Sequence, residues 1–136
     1  MTNTAQRIIV SFIAIPVILL VCYFGKIPFL LFTLLIGLVA YHEFYMMSRN
    51  KEIFPNLIAG LSAVFLIILN NYYNFIDFFN LSLLIVSLLV IVELFRNKGS
   101  ATLNIGTSLL GILYLGLFAS SILLIREFFS DEALLY

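Results

Sequence analysis

Charged residues divide this chain into apolar runs that are too long, and apolar on too many sides, for water-facing elements. Ile8–Phe24 lies uncharged between Arg7 and Lys26, and Ile27–Met47 is broken only by His42 and Glu43. Leu57–Leu69 follows Pro55 and Asn56 and ends at Asn70 and Asn71. A fourth run extends from Phe78 to Phe95 around Glu93, and the last, Ile105–Ile125, is closed by Arg126 and Glu127. At a helical rise of about 1.5 Å per residue, runs of roughly 17–21 residues cover about 26–31 Å, the thickness of a bilayer's hydrocarbon core. The third run is short and is expected to borrow Ile53 and Phe54 or the tyrosines that follow it.

Composition excludes the common alternatives. Hydrophobic residues make up 63% of the chain and charged residues 10%, against about 45–50% and about 25% in an average soluble domain. A soluble globule, a disordered segment and a disulfide scaffold are all ruled out. The seven basic and seven acidic residues cancel, so nucleic-acid binding has no electrostatic basis. One cysteine, Cys22, and one histidine, His42, can form neither an internal disulfide nor a zinc site. Strands would have to close into a barrel with alternating apolar and polar residues, and Leu83–Val92 has no such alternation. Helices satisfy the backbone internally in lipid. The sequence therefore predicts an all-α, polytopic transmembrane bundle of about five helices, near residues 8–24, 27–47, 55–71, 78–95 and 105–125, in a single domain over 1–136.

The first run is expected to be retained rather than cleaved as a signal peptide. No small-x-small site follows it, since the chain continues Phe24-Gly25-Lys26-Ile27-Pro28. Across five alternating helices, Arg7, Arg49, Lys51, Arg96 and Lys98 fall on one side and only Lys26 and Arg126 on the other. The excess of basic residues predicts a cytoplasmic N-terminus. The Asn70–Asn80 loop, rich in Tyr, Phe and Asn, suits a headgroup-level interface.

Candidate functional residues are few. Two intramembrane carboxylates, Glu43 and Glu93, lie about one turn from the ends of the second and fourth runs, at similar depth in this topology. Such groups often mark function. The structural alternative is an i,i+3 pair of Glu93 with Arg96 and a hydrated Glu43 near the interface. Arg49, Lys51, Arg96 and Lys98 share one predicted side, where they set topology or recognise a phosphorylated lipid headgroup. His42 beside Glu43 is not a metal motif, because neighbouring helical residues point about 100° apart. Gly111 and Gly116, with the small pairs Thr107/Gly111 and Gly116/Ser120, are helix-packing signals, as is Ala59/Ala63. They do not form the G-x-x-x-G dimer motif. No metal ligand set and no catalytic constellation is legible.

Several strings together resemble the amino-terminal half of the CDP-diacylglycerol synthases, also called phosphatidate cytidylyltransferases. They are Arg7-Ile8-Ile9-Val10 leading to Ile15-Pro16-Val17; Tyr41-His42-Glu43-Phe44-Tyr45-Met46; and Asn104-Ile105-Gly106-Thr107 running through Leu110–Leu117 to Ile125-Arg126. The resemblance implies a bacterial inner-membrane enzyme of phospholipid synthesis that transfers a cytidylyl group from CTP to phosphatidate with Mg²⁺, releasing pyrophosphate. It also implies contacts with membrane lipids, phosphatidate among them. The family's later motifs do not occur here: an aspartate-rich stretch, a Ser-Pro-Lys-Lys-Thr-like loop and a carboxyl-terminal signature. No catalytic residue carries over, and no cofactor is expected within this chain. The expectation is a fragment, a truncated product or one piece of a split enzyme, inactive alone and completed by a carboxyl-terminal half or a second copy. The rival reading is a non-enzymatic membrane scaffold or subunit.

Overall fold

A computed structural model describes residues 12, 14–21, 23, 26–96 and 98–132. All regular structure among them is α-helical. The chain divides into two compact units, Met1–Phe32 and Thr33–Tyr136. The first contains α1, helical over residues 14–21, and the beginning of α2 (Lys26–Arg49). The second contains the rest of α2, then α3 (Leu57–Tyr73), α4 (Phe78–Leu94) and α5 (Ala101–Glu132). Of the expected first span, 8–24, residues 8–11, 13, 22 and 24 lie outside the described residues.

Helix ends follow from local chemistry. After Arg49 the chain closes a Schellman-type cap: the Ile53 N–H donates to the Ser48 carbonyl at 3.2 Å, and the Glu52 N–H to the Arg49 carbonyl at 3.0 Å. Glu52 occupies the left-handed position with φ 59°, where a Cβ is disfavoured and glycine is the usual residue. Glu52→Gly is accordingly expected to stabilise the chain by about 1 kcal/mol, read as a higher unfolding midpoint in detergent. Pro55 and the N-cap Asn56, whose side chain accepts from the Ala59 N–H at 3.1 Å, delay the start of α3 to Leu57. The third helix therefore takes in the tyrosines of its C-terminal end but not Ile53 or Phe54.

At the far end of α3, Asn70 builds the turn. Its carbonyl accepts from the Asn74 N–H at 2.7 Å, and its side-chain amide bonds both backbone groups of Ile76, at 2.8 and 2.9 Å. Asn74 takes the left-handed conformation that asparagine tolerates, and Asp77 caps α4. On this turn Tyr73 meets Tyr72 edge-on and stacks on Phe75.

In the second unit α3 packs mainly along α5, while α4 meets both more sparsely. Tyr41, Val64, Ile67, Ile68 and Ile112 are fully buried between α2, α3 and α5. Glycines let these helices approach. A Cβ on Gly37 would stand 2.8 Å from Ile68, and one on Gly111 would stand 2.6 Å from Phe44; one on Gly60 would overlap the Tyr41 ring. On α4 only the stripe Leu81, Ile85, Leu89 and Glu93 is buried. Leu83, Leu84, Leu88, Ile91 and Leu94 are exposed, so this helix is apolar on its outer faces as well as its inner one.

Among the described residues, two segments, Ile27–Arg49 and Ala101–Ile125, are long and apolar enough to cross a bilayer. At 17 residues each, α3 and α4 stand at the lower edge of the range of about 17–25 residues for a spanning helix.

Candidate functional site

Several polar groups of the second unit converge where the α2–α3 and α4–α5 connections meet. Glu93, in the last turn of α4, is 5% exposed, and both its carboxylate oxygens are engaged. Asn104 Nδ2 donates to Oε1 at 2.6 Å, and Arg96 Nη1 donates to Oε2 at 3.2 Å. Asn104 is 1% exposed. Its Nδ2 also donates to the Lys98 carbonyl at 2.6 Å, while its Oδ1 accepts the Phe54 N–H at 2.9 Å. A single amide thus holds the buried carboxylate, the α4–α5 turn and the α2–α3 connection together.

Helix and strand periods explain how one side of α5 can hold an extended segment. Asn104 and Ser108 are one turn apart, about 6 Å along the axis, and residues 54 and 56 of an extended chain are about 6.6 Å apart. The Phe54 N–H is accepted by Asn104 and the Asn56 N–H by Ser108 Oγ at 3.2 Å. Tyr41 Oη donates to the Asn56 carbonyl at 3.3 Å from α2. Arg96 Nη2 approaches the Pro55 carbonyl at 3.5 Å, the outer limit of a hydrogen bond. Gly99, in the left-handed region at φ 66°, makes the tight turn into α5 and is covered by the Phe54 ring.

This constellation is closed rather than reactive. No buried side-chain N or O among the described residues lacks a partner. Each Glu93 oxygen receives a donor, one of them cationic, so the carboxylate is neither a free base nor an open ligand. Arg96 has a side chain that is 23% exposed and carries more donors than Glu93 and Pro55 use.

Comparison with known families gives this site its context. The model of the cytidylyltransferase family matches residues 5–136. The chain belongs to that family. No curated protein and no solved structure matches it. The match covers the Tyr41–Met46 and Asn104–Thr107 strings, which in this cytidylyltransferase chain supply Tyr41 and Asn104 to the buried network.

The other sequence candidates fall into distinct places. Glu93 and Arg96 are brought together, whereas Glu43 is exposed and outside the network. The two carboxylates, expected at similar depth, therefore sit in different surroundings. Arg49 is exposed, with its guanidinium 5.9 Å from the Tyr45 ring centroid. Lys51 and Lys98 are exposed on the two connections that the network joins, and His42 is exposed on α2. Gly111 is buried against Phe44 and Tyr41, and Gly116 against Ile67. Gly106 faces open space. Ala63 is buried and Ala59 half-buried, and both line a groove between α3 and α4.

Asn104, Ser108, Asn56 and Tyr41 were not singled out by the sequence as site residues. A signal for the first two exists: Asn104, Ser108, Gly111, Ile112, Gly116, Ala119, Ser120 and Leu123 recur at helical spacing and form the buried side of α5. That polar-and-small stripe on an otherwise apolar helix marks the face that meets neighbouring elements.

The family implies Mg²⁺, which favours octahedral sites built from one or two carboxylates with phosphate and water oxygens. The described residues do not fit it. No three His, Cys, Asp or Glu side chains gather among them, and Glu93 is already neutralised by Arg96.

Proposed function

We propose that this chain is the membrane-embedded amino-terminal portion of a phosphatidate cytidylyltransferase, which converts CTP and phosphatidate into CDP-diacylglycerol and pyrophosphate. Family membership over residues 5–136 carries the reading. Embedding in a bilayer is supported by α4, whose outward faces are as apolar as its buried stripe; a helix apolar all round needs an apolar medium when it is not enclosed by protein. The bacterial inner membrane, with the N-terminus cytoplasmic, follows from the family resemblance and the basic connections. Within the enzyme, the role of this portion is architectural: Glu93, Asn104 and Arg96 fasten the two basic connections into one rigid platform at the membrane surface. Metal and nucleotide chemistry then belongs to residues elsewhere in the enzyme.

Two results are expected. With Cys22 replaced by serine, single cysteines at Lys51 and Lys98 should react with a membrane-impermeant maleimide only after the cytoplasmic face is opened; labelling from outside would reverse the topology. The purified chain alone should form no CDP-diacylglycerol from CTP and phosphatidate, and activity should appear on co-expression with a carboxyl-terminal half of a family enzyme. Turnover by the chain alone would place the reaction centre here and refute the architectural role.

A further inference from the structure

The loose meeting of α3 and α4 leaves a groove of about 400 Å³ between them. Ala59, Ser62 and Ala63 form one wall, and Leu88, Leu89 and Val92 form the other. It occupies the N-terminal half of α3 and the C-terminal half of α4, the half of the hairpin beside the polar network. Asn56, which caps α3, is part of the lining. Val92 precedes Glu93 in the chain, and the Arg96 guanidinium reaches the Pro55 carbonyl immediately before Asn56. The groove is thus apolar along most of its length, and its lining ends at Asn56, beside the connections that carry Arg49, Lys51, Arg96 and Lys98.

Its dimensions select the occupant. From Ile58 to Leu66 the wall is about 12 Å long, which gives a mean cross-section of about 33 Å². A helix about 10 Å across could set only a ridge of side chains into a groove of that section. One flexible hydrocarbon chain fits within it: at about 30 Å³ for a water-sized unit, the groove holds roughly a dozen methylenes. Charge then selects the head. The connections at this end carry Arg49, Lys51, Arg96 and Lys98 against Glu52 and the buried Glu93, whereas the turn at the opposite end carries only Asp77 between residues 70 and 80. Arg96 retains unused donors in the geometry that suits a phosphate.

We propose that the α3–α4 groove is a binding site for one acyl chain of an anionic phospholipid whose phosphate rests against Arg96, held as a resident lipid rather than as bulk bilayer. This inference rests on the membrane reading above. The test uses the full chain in phosphatidylcholine vesicles containing a trace of phosphatidylglycerol with a mid-chain diazirine, photolysed and mapped by peptide mass spectrometry. Adducts are expected to concentrate on 58–66 and 85–92, several-fold above the exposed α5 residues Tyr114 and Phe118. Excess unlabelled phosphatidylglycerol, but not phosphatidylcholine, should suppress them. Ser62→Phe, at an exposed position that can fill the groove, and separately Ala59→Leu, should abolish the concentration while leaving α5 labelling unchanged. Even labelling of every exposed face, equal competition by phosphatidylcholine, or photo-crosslinks from 59–63 to a second copy would each overturn the proposal. A chain that washes off the vesicles in alkaline carbonate would overturn the membrane reading itself, and this inference with it.

Discussion

Asn104→Leu is expected to lower the stability of the chain by about 3–5 kcal/mol. The leucine would leave three partners without their bond: Glu93 Oε1, the Lys98 carbonyl and the Phe54 N–H. Each unsatisfied buried group costs about 1–3 kcal/mol, and a buried charge stripped of a partner costs more. Asn104→Asp should be at least as damaging, because it sets a second carboxylate where Nδ2 now lies 2.6 Å from Glu93. Glu93→Gln should be milder: a glutamine oxygen still accepts from Asn104, while its amide nitrogen faces the Arg96 guanidinium donor against donor, and the partly exposed Arg96 loses its counter-charge. Thermal unfolding in detergent, followed by far-ultraviolet circular dichroism, measures the series. Equal midpoints for Asn104→Leu and the parent would mean that the two connections are held by packing alone.

Gly60→Ala is expected to rank next. A methyl at Gly60 would occupy the space of the fully buried Tyr41 ring, which is also bonded to Asn56. Overpacking of this kind costs about 1–3 kcal/mol, and displacement of the ring adds the loss of its hydrogen bond and of contacts with Gly111. Gly111→Ala should follow, because its Cβ would stand 2.6 Å from the Phe44 ring. Gly106→Ala is the control: nothing lies within 4 Å of the added atom, and the gain in helix propensity should stabilise by up to about 1 kcal/mol. Combining Gly60→Ala with Tyr41→Ala should give a loss smaller than the sum of the two single losses, because the methyl would then have room. Strict additivity would show that the two positions do not share the space assigned to them.

The glycines illustrate what could be read before the fold was known. Gly111 and Gly116 announced close approach through their small neighbours, and both are buried against large side chains. Nothing in the sequence separated them from Gly106, five residues before Gly111 and on the exposed side of the same helix. The i,i+3 pair of Glu93 and Arg96 was legible because both residues lie in one helical end and are close in sequence. The third partner was not: Asn104 lies across a turn, and Phe54 is separated from it by 50 residues. Ala59/Ala63 read as a packing pair; in the fold Ala63 is buried and Ala59 half-buried, and both face the groove that α3 and α4 leave between them.

Helical structure and an appetite for an apolar medium were determined by the sequence itself. Backbone hydrogen bonds within a helix link residues four apart, and an apolar run is a property of its own composition. The end of α3 was equally local, with Asn70, Asn74 and Asp77 writing the turn. Tertiary structure alone decided which carboxylate would be buried, which amide would hold it, and where α3 and α4 would part. Glu43 and Glu93 are the same residue type near the ends of apolar runs, though α2 continues six residues past Glu43 and α4 only one past Glu93. They differ because α4 ends against the extended segment at Phe54–Asn56 and the first turns of α5, where donors from three elements converge on Glu93, while Glu43 is left on an exposed face of α2. Neither partner's local sequence contains the register that aligns Asn104 and Ser108 with that segment; it arises only when the elements pack.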